Sequence, residues 1–360
     1  MAEQALDFFS SHMLTAALEQ VESESLFFHN RYFPTGAGDI FNSDKVLVEI
    51  RKGSRKMAPF VGDRIDAIPI ERRGYEMREI EPARIAVQRT LTLDDLRKRG
   101  FGEALYSYTT PAQRAARLEI EDMTEMNRRI SRREEWICVQ TMINNACEMQ
   151  EMVDAQTVGD TKYAQFFEND PSEHKFITAN PWNSGKANIV GDVAAMCSML
   201  TRWGMNPTDL VIGPDIADLF YNDDKICRLL DKNLAISFGS IDEKIEYPGV
   251  SILARNLNFR GHPLTVFVVS NSYEDEKGNS VPYFPSDGVM VTFPSCGHMM
   301  YGRVDQMPYG SIDFRSVAAK RVAKFFCDNM AEIRGLRLQT KPIAAPKTYC
   351  PYIFAPGIVA

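Results

Sequence analysis

Between Pro111 and Gly159 the chain has no internal glycine or proline, and this uninterrupted run constrains everything around it. Thr109 and Thr110 supply capping hydroxyls, and Pro111 suits the first turn of a helix. Leu118, Met123, Met126, Ile130, Ile137, Val139, Met142, Ile143, Ala146 and Met149 recur at helical spacing, the pattern of one apolar stripe. Arg117 can reach Glu121, and Glu125 can reach Arg129, each one turn away on the same face. The run predicts one helix from Pro111 to Met152, about 40 residues and roughly 60 Å long. A lone helix of that length cannot enclose a core, so it is expected to be a spine with sheet laid along it. The alternative is an ordinary long surface helix or a coiled-coil arm.

A chain of 360 residues, 44% hydrophobic and 25% charged, has a globular composition with room for two or three domain-sized units. A net charge of -7 argues against a protein whose main task is to grip phosphate backbones. It leaves room for a local basic patch. The cysteines are scattered without CxxC spacing, as expected of reduced thiols in a cytosol-made protein. No stretch has the order of a signal peptide or the length of an apolar membrane span.

Residues 3–22 place Leu6, Phe9, Met13, Ala17, Leu18 and Val21 on one helical face. Phe27, Phe28, Tyr32 and Phe33 follow, then the turn formers Pro34, Gly36 and Gly38. This is a docking arm or, equally, the first helix of a domain. From Lys45 to Leu93 the pattern turns to strand, with Val46–Ile50 a short strand, Arg51–Lys56 a basic turn, Met57 to Val61 apolar, and Ile68 to Thr90 alternating with charges. So few large core residues predict an extended β-hairpin leaning on a neighbouring molecule, or else a small sheet on its own chain. Asp94 to Tyr108 is a charged helix and turn, and Ala155 to Thr178 short strands with turns at Gly159, Asn169 and Pro171. Asn180–Gly185 is a linker.

A second unit begins near Ala187. Helices are expected at Ile189–Trp203 and from Pro214 to Leu230, and buried strands at Asp209–Gly213, Leu264–Val269 and Val289–Phe293. Lys277–Asn279 is a hairpin tip. The alternation makes this unit α+β or α/β. Ile333–Thr340 is a strand, and the proline-rich apolar tail from Lys341 is expected to return to the sheet beside the spine helix.

Motifs for chemistry are scarce. The sequence has no GxSxG, Walker A or GxGxxG pattern, and its histidines form neither HExxH nor zinc-finger spacing. Cys296-Gly297-His298 is the nearest approach to a dyad or metal pair, but without further ligands nearby it is expected to be structural. Asp94-Asp95 and Asp223-Asp224 are expected to be helix-surface charge. The basic turn Arg51–Lys56 could meet an acidic partner or DNA, or simply remain solvated. No catalytic, cofactor-binding or metal-binding residues are therefore assigned, and the chain is not expected to be an enzyme.

Several stretches together resemble the lambda E-type major capsid proteins of tailed phages, which have the Hong Kong 97-like fold. They are Phe27-Phe28 through Tyr32-Phe33-Pro34; Asp209–Gly213 with Phe220, Lys225, Leu230 and Asp231; Tyr247–Val250 through Tyr273, Gly278, Tyr283-Phe284-Pro285 and Val289; and the closing segment with Pro342 and Pro351. The resemblance covers nearly the whole chain and rests on the order of the motifs. It implies an α+β fold with an N-terminal arm at 1–44, an extended hairpin (E-loop) at 45–93 and a peripheral domain at 94–186 carrying a spine helix at 111–152. An axial domain at 187–310 and a return to the peripheral domain at 311–360 complete it.

The resemblance also implies a function. Copies would tile as hexamers and pentamers into the icosahedral head of a tailed phage, found in the virion and assembled in the host cytoplasm. Portal, scaffold and decoration proteins would be partners, and packaged double-stranded DNA would be touched loosely. Some relatives join subunits through lysine–asparagine isopeptide bonds. The segment after Asn329 has no asparagine, so no such cross-link is expected. An encapsulin-type nanocompartment shell is the alternative on the same fold, and a soluble enzyme using Cys296 and His298 is a more distant one.

Overall fold

The computed structural model describes residues 26–50, 57, 76–92, 95, 111–153, 157–167, 171–229, 247–275, 277–307, 312–328 and 333–359. The segment 3–22, the basic turn Arg51–Lys56 and, apart from Asp95, residues 94–108 lie outside these.

Among the described residues helix α1 (Phe27–Tyr32) comes first, followed by a 3-10 turn at Ala37–Asp39. Strands β1 (Val46–Ile50) and β2 (Glu76–Ile80) pair antiparallel, with Val46 opposite Ile80 and Ile50 opposite Glu76. Strand β3 (Ile85–Leu91) does not continue this hairpin. It pairs with Ile333–Thr340, Leu91 opposite Arg334 and Ile85 opposite Thr340. The expectation that 45–93 forms one hairpin is thus corrected: Pro82, which has no N–H to donate, stands where the chain leaves β2 for another sheet.

Helix α2 (Pro111–Asn144) spans 34 residues, about 51 Å. It stops at Asn144 instead of reaching Met152. Asn145 adopts a left-handed φ of 55°, a conformation that ends helices and that asparagine tolerates. Beyond it, β4 (Ala146–Met152) pairs with β5 (Val158–Gln165). Cys147 and Met149 are buried while Glu148 and Gln150 are exposed, so a two-residue period replaces the helical one. Gly159 lies inside β5, not at a turn.

Helices α3 (Pro171–His174), α4 (Ile189–Arg202) and, after β6 (Asp209–Ile212), α5 (Pro214–Asn222) follow the hairpin or alternate with strands. The single helix expected to Leu230 breaks at Asp223. Its Oδ1 accepts the N–H groups of Lys225 and Ile226 at 2.8 and 2.9 Å, so a fresh helical stretch at 224–229 is capped there. The remaining strands are β7 (Val250–Phe259), β8 (His262–Val269), β9 (Ser272–Glu274), β10 (Ser280–Pro282), β11 (Val289–Thr292), β12 (Gly297–Tyr301), β13 (Val304–Gln306), β14 (Arg315–Val317), β15 (Val322–Asp328), β16 (Ile333–Thr340), β17 (Pro342–Pro346) and β18 (Ile353–Ala355).

A five-stranded sheet in the order β18-β11-β6-β8-β7 organises the second unit, with β6 and β8 parallel and the other pairs antiparallel. Val193 and Leu200 of α4 and Ile216 and Phe220 of α5 share its core with Leu210, Ile212 and Val266. The Asn180–Gly185 linker is irregular, but it is not a free tether. Trp182 is buried, and its Nε1 donates to Asp192 at 2.9 Å. Along the first half of α2 lies the sheet β15-β16-β3, where Met123, Met126 and Ile130 meet Ala323, Leu336 and Leu338. The tail divides: β17 pairs with β12, whereas β18 joins the edge of the five-stranded sheet. This corrects the expectation that the whole tail returns beside the spine. The largest core forms where α1, the second half of α2, β12 and β17 meet. There a Cβ on Gly297 would sit 2.2 Å from the Phe33 ring, so only glycine lets the strand approach.

Candidate functional site

Buried polar groups lock the long helix to the rest of the chain. Glu135 of α2 is buried, and its carboxylate accepts the N–H groups of Phe28 and His29, both at 2.8 Å. It thereby supplies the acceptors that α1 lacks at its own N-terminus. At the other end of α1, Arg31 donates Nε and a terminal nitrogen to Asp209 at 2.6 and 3.0 Å, and the Tyr32 hydroxyl donates to the same carboxylate at 3.1 Å. The Arg31 guanidinium also lies 4.6 Å from the Phe267 ring centroid. Helix α1 is therefore a peg between α2 and the five-stranded sheet. A second lock joins α2 to the strand layer: Arg321 grips Glu134 through both terminal nitrogens at 2.6 and 2.7 Å and donates Nε to Asn127 at 3.0 Å.

His174 closes the C-terminal end of α2. Its Nε2 is 3.1 Å from the Ile143 carbonyl and its Nδ1 3.3 Å from that of Tyr352. Burial holds the ring below its usual pKa. Unfolded, it would take a proton near pH 6.5; folded, it resists to lower pH. The stability it contributes is present above about pH 6.5 and is lost as pH falls toward its folded value. Urea unfolding at pH 7.5, 6.0 and 5.0 is expected to show a smaller acid loss in His174→Gln than in the parent chain. Equal losses in both would assign the acid sensitivity elsewhere.

Two features point outward. The β1–β2 hairpin pairs with no other strand among the described residues. It buries Val46, Val48 and Ile80 on one face and leaves Leu47 and Met77 exposed on the other. Its base is held by charge: Lys341 and Arg303 each reach Asp44 at 3.1 Å, and Lys162 reaches Glu81 at 2.7 Å. Those partners keep the Asp44 and Glu81 carboxyls below their usual range. Beside the hairpin a cleft of about 1270 Å³ is lined by β3, β4, Trp136 and Gln140. Among the described residues both β3 and β4 are edge strands, and a sheet edge can accept another strand.

The residues weighed for chemistry have structural surroundings. Cys296 is buried with its Sγ 3.8 Å from the Tyr32 carbonyl, and burial pushes its thiol up to about 12. The thiolate that nucleophilic chemistry requires is therefore not formed near neutral pH. His298 Nδ1 lies 3.4 Å from Asp39 on the rim of the same core. Asp223 is a helix cap, and Asp95 accepts from Thr92 at 2.7 and 3.0 Å. Among the described residues no three His, Cys, Asp or Glu side chains gather as a metal-binding group. The buried locks were missed in the sequence. The available signal was Glu134, which falls at an inward position of the stripe that runs through Met123, Met126, Ile130 and Ile137.

The family of phage major capsid protein E matches residues 10–352. No curated protein matches the chain. Among solved structures, a protein described as the capsid protein of a prophage of E. coli CFT073 superposes with a TM-score of 0.68 at 15% identity, covering 98% of this chain and 99% of that one. A phage-related protein from Bordetella bronchiseptica RB50 superposes with a TM-score of 0.51 at 12% identity, covering 96% of each chain. The fold is thus the Hong Kong 97-like capsid fold. The family match takes in the hairpin, the long helix and four of the five strands of the large sheet, and stops just before β18. With the pegged helix and the outward hairpin already described, the chain belongs to the phage major capsid protein E family, the proteins that build the phage head shell.

Proposed function

We propose that copies of this chain close into an icosahedral head of hexamers and pentamers around double-stranded DNA, each subunit laying its β1–β2 hairpin on a neighbour. The observation that carries this reading is the hairpin itself. A two-stranded hairpin is marginal alone, yet this one presents Leu47 and Met77 to solvent, 42% and 49% exposed. Covering that face with a second copy removes apolar surface from water. Specific interfaces bury about 1,200–2,000 Å², and many such contacts per subunit combine through multivalency. On this reading the hairpin acts as the E-loop, the α2 layer as the peripheral domain and the five-stranded sheet as the axial domain. Scaffold and portal proteins would guide closure, and a decoration protein could stabilise the finished shell.

The double variant Leu47→Lys and Met77→Lys tests this, each lysine facing a glutamate across the hairpin, Glu79 and Glu49. Both side chains are already exposed, so subunit stability should change by no more than about 0.5 kcal/mol per site. Shell yield by electron microscopy and size-exclusion chromatography should collapse. Shells at the parent yield would remove the hairpin from the assembly interface.

A further inference from the structure

A second ribbon leaves the protein beside the foot of the β1–β2 hairpin. Strands β13 and β14 pair with each other, Val304 opposite Val317 and Gln306 opposite Arg315, and with no other strand among the described residues. Val304 and Gln306 are buried and root the ribbon in the subunit. The run that leads into β14 is the reverse. Every residue from Ile312 to Ser316 is exposed. Ile312 and Phe314 are 92% and 77% exposed, far more than Leu47 and Met77 on the hairpin. Neither belongs to any of the subunit's hydrophobic cores. Two large apolar side chains held in water add nothing to folding, and they become favourable only when something covers them.

The ribbon is continuous with the hairpin. The Arg303 guanidinium lies 3.1 Å from Asp44, next to β1, and 3.2 Å from Asp305 within β13. Its backbone N–H donates to the Ser43 carbonyl at 3.1 Å. Hairpin and ribbon therefore keep a fixed relation to each other. The charges on the ribbon are balanced: Arg303 and Arg315 stand beside Asp305 and Asp313. Such a surface selects neither a basic nor an acidic partner, and it does not repel its own copy. We propose that the ribbon is a second self-contact, in which Ile312 and Phe314 of one copy meet the same residues of other copies around a symmetry axis of the shell. The inference rests on the head-shell reading and adds to it a surface that the hairpin does not use. Area sets its strength. An aromatic side chain buries about 150–250 Å², whereas a stable pairwise interface takes about 800 Å² from each partner. Even with Ile312 added, the ribbon is too small to join two free subunits. It acts where many copies meet at once.

Two variants test this. The first is Phe314→Cys in a Cys327→Ser background, which removes an exposed native thiol. Shells assembled from this chain alone are treated with a short bis-maleimide and run on a denaturing gel. Linked dimers should appear from the shells, but not from unassembled subunits at the same concentration, nor from shells of Cys327→Ser alone. The second is Ile312→Ser/Phe314→Ser. Its shells should come apart at lower urea than the parent's, or fail to form. The urea midpoint of the unassembled subunit should stay that of the parent, because both side chains already lie in water. Intact Phe314→Cys shells without linked dimers would overturn the contact, and so would parent-like dissociation of the double variant. Parent-like dissociation with loss of a separate head protein from the surface would give the ribbon to that partner instead. Absence of shells from the parent chain itself would remove the head-shell reading, and this contact with it.

Discussion

Replacing Arg321 with methionine is expected to destabilise the subunit by about 3–5 kcal/mol, the usual cost of removing one partner from a buried ion pair. The Glu134 side chain is 3% exposed and that of Arg321 14%, so water screens neither. Arg321 also serves Asn127 at 3.0 Å and Ser131 at 3.4 Å. Its loss removes a partner from three polar groups on the inward face of α2 at once and leaves the Glu134 charge uncompensated. The methionine fills much of the volume, so the loss reads on charge and hydrogen bonding more than on a cavity. Urea unfolding of the unassembled subunit measures it. The double variant Arg321→Met/Glu134→Met should recover most of the stability, because an apolar pair can replace a buried ion pair at little cost. A single variant within about 1 kcal/mol of the parent would mean that water reaches Glu134 and that the lock is not a lock.

The outlines of this architecture were legible because they rest on local signals. Pro111 and the absence of breakers announce α2, and the apolar run Leu264–Val269 announces a strand with neighbours on both sides, as β8 has. The errors fall where two signals coincide or where the deciding partner is remote. Met149 satisfies both periods, three residues from Ala146 as on a helix and two from Cys147 as on a strand, so only the left-handed Asn145 separates α2 from β4. Strand β3 has the same alternation as the hairpin before it, and nothing nearby says that its partner is β16. The tail is apolar throughout, and apolarity alone does not choose between the α2 layer and the five-stranded sheet. The outward features were half visible. The hairpin could be read from its lack of core residues, whereas the inward turn of Glu134 and Glu135 could not, because their partners Arg321 and α1 are remote in sequence.

Asp209→Ala is expected to cost about 3 kcal/mol, near the lower end for breaking a buried pair. The Asp209 side chain is 2% exposed but that of Arg31 is 26% exposed, so the freed guanidinium can partly rehydrate. The Tyr32 hydroxyl cannot, because the whole residue is buried. Asp209→Asn keeps an acceptor for Tyr32 and should lose less, which separates the tyrosine hydrogen bond from the ion pair. The position matters beyond stability because α1 touches two bodies at once. Glu135 holds its N-terminus from α2, and Asp209 holds Arg31 and Tyr32 from the five-stranded sheet. A subunit that must present its hairpin and its sheet to neighbours in fixed relation needs that peg rigid. Asp209→Ala should therefore reduce shell yield further than its unfolding free energy predicts, whereas Arg321→Met, which loosens only the α2 layer, should lose yield in step with stability. Hydrogen exchange would show the difference as faster exchange confined to α1 and β6 in Asp209→Ala. Parent-like exchange there, with stability within about 1 kcal/mol of the parent, would mean that the aromatic packing of Phe27 and Phe28 holds the peg without the charge.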